Sequence, residues 1–249
     1  RPGWAEQNPH HWKEQSFLAL REIVKRNRNK KITAIGLTGQ MHGAVLLDKE
    51  DRVIRPPILW CDQRTAKESE EIHKIFGYEK FLEITGNPAL TGFTAPKILW
   101  VKKNEPDNFS KISKILLPKD YLRFFLTNGF FSDVSDASGT GFFEVEKRDW
   151  SEEILKGLGI KREWLPEVKE SVEVTGKITK EVAKFTGLRE GTPIVAGAGD
   201  QAASAIGCGI IEEGLISVTL GTSGVVFSSI DSMKREKKGR LHSFCHAVR

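Results

Sequence analysis

Apolar residues recur at spacings of three and four after Pro9, at Phe17, Leu20 and Val24, with charged residues between them. That is the pattern of an amphipathic helix with one buried face. Pro9 suits the first helical position and Asn8 the cap before it. The period then changes. Residues 32–37 and 44–47 are short apolar runs, and a third lies at Val53-Ile54 beyond the turn Lys49-Glu50-Asp51. Runs this short, bounded by turn residues, predict strands. Between the first two lies Gly39-Gln40-Met41-His42-Gly43. Past Pro56-Pro57, residues 64–76 read as a helix stopped by Gly77. Thr94 is placed to cap another helix, which carries Ile98, Leu99 and Val101.

Farther on, residues 112–117 predict a strand, 120–126 a helix and 142–145 a strand, while 151–190 is more charged and reads as short helices and turns. Residues 193–197 predict a buried strand that passes through Gly199-Asp200 into a helix over 201–206. Residues 215–220 and 225–228 flank Gly221-Thr222-Ser223-Gly224 as a hairpin. Strands alternating with helices in this way predict an α/β fold.

Composition narrows the function classes. The chain has 249 residues, more than one ordinary domain, and 39% hydrophobic with 29% charged residues is a folded rather than a disordered balance. No apolar run approaches the roughly 20 residues of a membrane helix. The N-terminal stretch RPGWAEQNPH lacks the apolar core of a signal peptide. Both point to a cytoplasmic protein with no membrane partner. Cys61, Cys208 and Cys245 are odd in number and far apart, which argues for reduced thiols. The net charge of +5 is dispersed among glutamates instead of forming a stripe, so no nucleic-acid partner is expected. The basic run over residues 234–240 reads as a solvated loop.

The candidate chemistry lies in glycine-rich turns. No G-x-x-x-x-G-K-[ST] phosphate loop occurs. Gly197-Ala198-Gly199-Asp200-Gln201-Ala202 has the form of a dinucleotide fingerprint, yet Ser217-Val218-Thr219-Leu220 stands where the ribose-binding acid belongs. That absence weighs against a nucleotide-dependent oxidoreductase. Asp200 is either a helix cap bonded to the Ala202 or Ala203 N–H, or a carboxylate at the mouth of a pocket. Gly221-Thr222-Ser223-Gly224 suits a phosphate chain or a plain hairpin turn. Gln40-Met41-His42 and Trp60-Cys61-Asp62-Gln63-Arg64 have the mix of apolar, acidic and basic groups of a sugar site, or of a packed histidine and a helix start. His242, Cys245 and His246 lack a fourth ligand at suitable spacing, so no metal site is assigned.

Gly92-Phe93-Thr94-Ala95-Pro96-Lys97-Ile98-Leu99-Trp100-Val101-Lys102-Lys103-Asn104 resembles the first signature of the FGGY family of carbohydrate kinases, whose fixed points are a Lys and a Trp three positions on. Residues 39–43, 59–64, 116–121, 197–203 and 220–224 extend the likeness over nearly the whole chain and favour its xylulose kinase branch. The resemblance implies an actin-like, ribonuclease H-like α/β sugar kinase fold. Residues 1–211 would then form a sugar-binding domain incomplete at its N-terminus, and 212–249 the start of a nucleotide-binding domain. The family's Asp-x-Gly-Thr strand and its adenine-binding glycine motif are not found, so the sequence reads as the middle of a longer kinase, with unpaired sheet edges and little activity by itself. The implied reaction is ATP-dependent phosphorylation of a sugar, D-xylulose to D-xylulose 5-phosphate in pentose catabolism. By the same resemblance Asp200 is the catalytic base. Met41, His42 and Gln201 bind the sugar, with Trp60, Asp62, Arg64 and Asp120 as further wall candidates, and Gly221, Thr222 and Ser223 lie against the phosphates. ATP and Mg²⁺ are the implied cofactors, and a homodimer is a compatible assembly. Ribulose, gluconate or glycerol as substrate, and a non-catalytic sugar-binding protein, are the alternatives. Glycerol-type members place charged residues where Met41 and His42 stand here.

Overall fold

A computed structural model describes residues 1–221 and 224–248. The chain opens with α1 (Pro9–Arg26), then β1 (Thr38–Gly39) and β2 (Val45–Leu47). A helical stretch follows: α2 (Ala66–Phe76), α3 (Tyr78–Thr85), α4 (Thr94–Asn104) and α5 (Pro106–Ser110). Next come β3 (Lys114–Leu116), α6 (Pro118–Thr127), β4 (Phe131–Asp133), α7 (Val134–Ala137), β5 (Phe143–Glu144), β6 (Asp149–Trp150) and α8 (Glu152–Leu158). The last part holds β7 (Glu167–Lys169), β8 (Val174–Lys177), α9 (Lys180–Thr186), β9 (Pro193–Val195), β10 (Ala198–Gly199), α10 (Asp200–Gly207), β11 (Ile216–Leu220) and β12 (Gly224–Ser228). No helix among the described residues is long and apolar enough to cross a membrane.

The first helix forms as its sequence predicts. The Asn8 side chain accepts from the His10 N–H at 3.0 Å, Pro9 opens the helix, and Phe17, Leu20 and Val24 pack against Leu126, Ile178, Val182 and Ile194. The apolar run at β2 is buried on both faces. It pairs antiparallel with β3, Leu46 opposite Ile115, and those two enter the largest core. Val45, Leu47 and Leu116 point to a smaller core with Tyr121 and Phe124. A strand covered on both sides reads as unbroken apolar sequence, which is why this one was legible.

The run at residues 32–37 departs from the expected strand. Only Ile35 bridges, parallel to Ile194, and regular pairing begins at β1, where Thr38 and Gly39 oppose Ala198 and Gly199 of β10. One extra residue is absorbed between those two pairings, at Ala196-Gly197. Their N–H groups turn away and bond to the carbonyls of Glu173 and Ser171. The bulge requires a glycine: Gly197 has φ +78°, and a Cβ there would collide with the Leu37 carbonyl. The run at Val53-Ile54 likewise forms a single bridge, Val53 to Leu47.

Three further expectations change. Residues 151–190 are not only helices and turns, because β7 runs parallel to β4 and β8 antiparallel to β9. Their exposed, charged faces hide the alternation that would mark them. Thr94 is the first residue of α4 and not its cap. Its hydroxyl donates to the His42 carbonyl at 3.2 Å, and the Ala95 N–H finds the Thr140 carbonyl at 2.8 Å instead of a cap. Asp200 likewise opens α10 after Gly199, and its Oδ1 accepts from the Gln201 N–H at 3.0 Å rather than from Ala202 or Ala203. The hairpin is formed as expected, with Val218 opposite Val226.

Candidate functional site

Two adjacent parallel strands, β1 and β10, end side by side, with Gly39 opposite Gly199. The chain leaving β1 carries Met41 and His42, and the chain leaving β10 carries Asp200 and Gln201. In open α/β sheets a ligand crevice forms outside the carboxyl ends of such strands. Glycines bring the walls together. A Cβ on Gly199 would lie 2.9 Å from Met41 Cγ, and one on Gly139 would lie 2.6 Å from His42 Cε1.

The two titratable groups of this crevice differ in charge. Burial raises the Asp200 carboxyl above its usual value, and the Gln201 N–H partly opposes the shift. His42 goes the other way. Burial, and then the charge of Lys97, lower it to about 3. Its ring is therefore neutral at physiological pH. Nδ1 lies 2.6 Å from the Gly139 carbonyl, which only accepts, so Nδ1 carries the proton and Nε2 is left as an acceptor. The ring stacks on Phe93 with centroids 4.4 Å apart. Phe244, from the stretch after the hairpin, lies 6.2 Å from the same ring.

Beneath the crevice lies a closed ionic cluster. Lys119 Nζ contacts Asp120 at 2.6 Å, Asp133 at 2.7 Å and Asp136 at 3.3 Å, all with fully buried side chains. Arg123 adds a second cation at 2.8 Å from Asp120. Burial pushes the Asp136 carboxyl well above the usual range, so with Asp136 protonated the two cations balance Asp120 and Asp133. The cluster reaches the site through Ser135, whose hydroxyl donates to Asp133 at 2.5 Å and accepts from the Gly199 N–H at 3.1 Å. Ser135 and Lys119 escape a reading by residue type, since neither stands in a glycine-rich turn.

Three of the proposed wall residues are spent on framework. Asp120 is held by Lys119, Arg123 and the Ser132 hydroxyl. Asp62 accepts from the Ala5 N–H and from Arg64, leaving no oxygen for a ligand. Arg64 is clasped by Asp62 and Glu6, with its guanidinium 3.7 Å from the Trp4 ring centroid. Some of these partners are local, as Arg64 is to Asp62 and Lys119 and Arg123 are to Asp120, but Ala5, Glu6 and Trp4 from the N-terminal stretch and Ser132 of β4 lie too far along the chain for spacing to reveal. Trp60 is exposed, with its carbonyl close to Gly92. Gly221 follows β11 at the surface, and Thr222 and Ser223 lie outside the described residues. Among the described residues no set of three His, Cys, Asp or Glu side chains converges as a metal site requires. The aspartates under the crevice are closed by Lys119, so no ion is assigned to this chain's residues.

Comparison with known proteins bears on the chemistry. A profile described as FGGY family of carbohydrate kinases, N-terminal domain, matches residues 1–207. The chain is 43% identical over 247 residues to a xylulose kinase of Escherichia coli (strain K12), covering 99% of this chain and 50% of that protein. It is 42% identical over 248 residues to a xylulose kinase of Bacillus subtilis (strain 168), with coverages of 99% and 50%. The crystal structure of xylulose kinase from Rhodospirillum rubrum superposes with a TM-score of 0.96 at 29% identity, over 100% of this chain and 51% of that one. The chain thus spans about half the length of the curated relatives it matches.

Proposed function

The chain belongs to the FGGY family of carbohydrate kinases, and from that premise we propose that it supplies the sugar pocket and general base for ATP-dependent phosphorylation of D-xylulose. The observation that carries this reading is the register of β1 and β10, which puts Met41 and His42 beside Asp200 and Gln201 at one crevice. Asp200, ionised above its raised pKa, takes the proton of the reacting hydroxyl as that oxygen attacks the γ-phosphorus of ATP. The bond to the bridging oxygen breaks and ADP leaves, giving D-xylulose 5-phosphate. Such transfer depends mainly on alignment and charge stabilisation. His42 Nε2 accepts from a second sugar hydroxyl, Met41 covers an apolar edge, and Gln201 offers its amide. Trp60 belongs to the rim. Mg²⁺ neutralises the phosphates when bound. Gly221, Thr222 and Ser223 are proposed to lie against the phosphates, with residues 1–211 as the sugar-binding unit and 212–249 as the beginning of the nucleotide-binding one. A homodimer is compatible with this assignment.

The experiment is a calorimetric titration with D-xylulose, with and without ATP, on the chain and on Asp200→Ala. Saturable binding that weakens in the variant is expected. A folded chain that takes up no xylulose under either condition overturns the pocket assignment.

A further inference from the structure

Lys97 of α4 is wholly buried, and its ammonium donates to two main-chain carbonyls, His42 at 2.8 Å and Gly92 at 2.6 Å. Among the described residues no ion pair engages it. A buried ammonium without a carboxylate is costly and calls for a compensating role. What it holds is unusual. His42 has φ +68°, and the Gly43 N–H bonds back to the Met41 carbonyl at 2.9 Å. A hydrogen bond from residue i+2 to residue i around a positive φ is the rare, strained γ-turn, and a residue with a Cβ stays there only when its surroundings hold it. Here the surroundings are explicit. Lys97 Nζ and Thr94 Oγ1 both donate to the His42 carbonyl, the Gly139 carbonyl takes the ring N–H, and Phe93 backs the ring.

We propose that Lys97, supported by Thr94, is a positioning residue: its ammonium clamps the His42 carbonyl, keeps the γ-turn strained, and so sets Met41 and the His42 ring against the sugar. This rests on the sugar-pocket reading above, and Lys97 itself touches no substrate. The clamp also carries a pH signature. Burial lowers Lys97 to about 7 against the opposing pull of Asp62 and Cys61, with Arg64 adding to the lowering. The charged or titratable groups around the pair are those three, His42 itself and His242. His42 is lowered to about 3, His242 and Asp62 are also lowered, and Arg64 is raised, so none of these four changes state as pH climbs through 7. A neutral amine still donates, but without charge assistance, so the clamp weakens across that range. Global stability moves the other way. Between about 7 and the unfolded value of 10.5 the unfolded chain binds a proton that the folded chain does not, so stability rises with pH. A turn that loosens while the fold firms up is not reporting unfolding.

The test uses a Cys61→Ser background, to remove the thiol, across roughly pH 6 to 9. It follows the hydrogen-exchange protection factor of the Gly43 amide and the D-xylulose dissociation constant. Both should worsen about tenfold as pH rises, the equivalent of one charge-assisted hydrogen bond, with a midpoint near Lys97's value. Lys97→Met should be weak at every pH with no midpoint, and Thr94→Val should lose less while keeping the midpoint. Gly43 protection that is flat with pH in the unsubstituted background, or unchanged in a folded Lys97→Met, overturns the clamp. If Lys97→Met does not fold, that background's titration and Thr94→Val decide. Should Gly43 respond while no xylulose binds at any pH, the clamp stands and the sugar reading falls. Should xylulose bind with an affinity indifferent to Lys97, the sugar reading stands and the positioning role falls.

Discussion

Asp200 and Lys97 make opposite demands on pH. A sugar hydroxyl donates best to an ionised Asp200, whose carboxyl is raised by burial, so affinity should fall as pH drops towards that raised value. The basic limb belongs to Lys97, and xylulose affinity should therefore pass through a maximum between the two. Asp200→Asn should remove the acid limb and weaken binding by about 10–100-fold, the worth of a hydrogen bond to a charged group, as calorimetry over a pH series would read. Gly197 tests the backbone instead. Gly197→Ala meets both a positive φ and the Leu37 carbonyl, and should cost at least ~2 kcal/mol, lowering the melting temperature by about 4–8 °C. At this scale the residues that the β1–β10 pairing brings to one crevice were legible. Met41, His42 and Asp200 follow apolar runs and sit among glycines, a pattern visible in one dimension. Asp62, Arg64 and Asp120 are of equally suitable type, but the pairing that uses them up is completed by Ala5, Glu6 and Ser132 from other segments. Nothing local separates a carboxylate that faces a ligand from one that faces a lysine.

Among the elements, those buried on two sides or carrying a clear helical stripe were readable, as α1, β2 and β3 show. Those shaped by a neighbour were not. The stretch over residues 32–37 is interrupted because the bulge at Gly197 turns its partner away, and β7 and β8 are strands through their pairing more than through their composition. The cluster joining α6, β4 and α7 gives a test at this scale. Asp136 has its folded pKa raised well above the usual range, and unfolded aspartate titrates near ~3.9. As pH rises past that value the unfolded chain loses a proton the folded one keeps, and stability falls. Asp136→Asn lacks this loss. The melting temperature of the variant, relative to the parent, should therefore climb as pH rises above ~3.9. A gap that stays constant or narrows would mean that Asp136 is ionised in the folded cluster. Asp120 is held below its usual value and contributes only in more acid solution.

On the scale of the whole molecule, the β11–β12 hairpin leaves large apolar side chains uncovered. Leu220 is 83% exposed and Val226 72%, and the pair Val218 and Val226 faces across the two strands. Exposed apolar side chains of this kind favour self-association. Replacing both valines with threonine should reduce the apparent size in concentrated solution by light scattering and leave the main melting transition in place. The pairing of β1 with β10 has a different consequence, one of time. Thr38 meets Ala198, and at roughly 5–20 residues per second a ribosome needs about 8–30 s to lay down the ~160 residues between them. During synthesis the histidine wall of the crevice therefore emerges long before the carboxylate wall exists. Helices, the β2–β3 pair and most of the core have that interval in which to form first. The crevice is a late product of translation, and a pause or cleavage anywhere in the intervening stretch would leave a largely folded body with half a site.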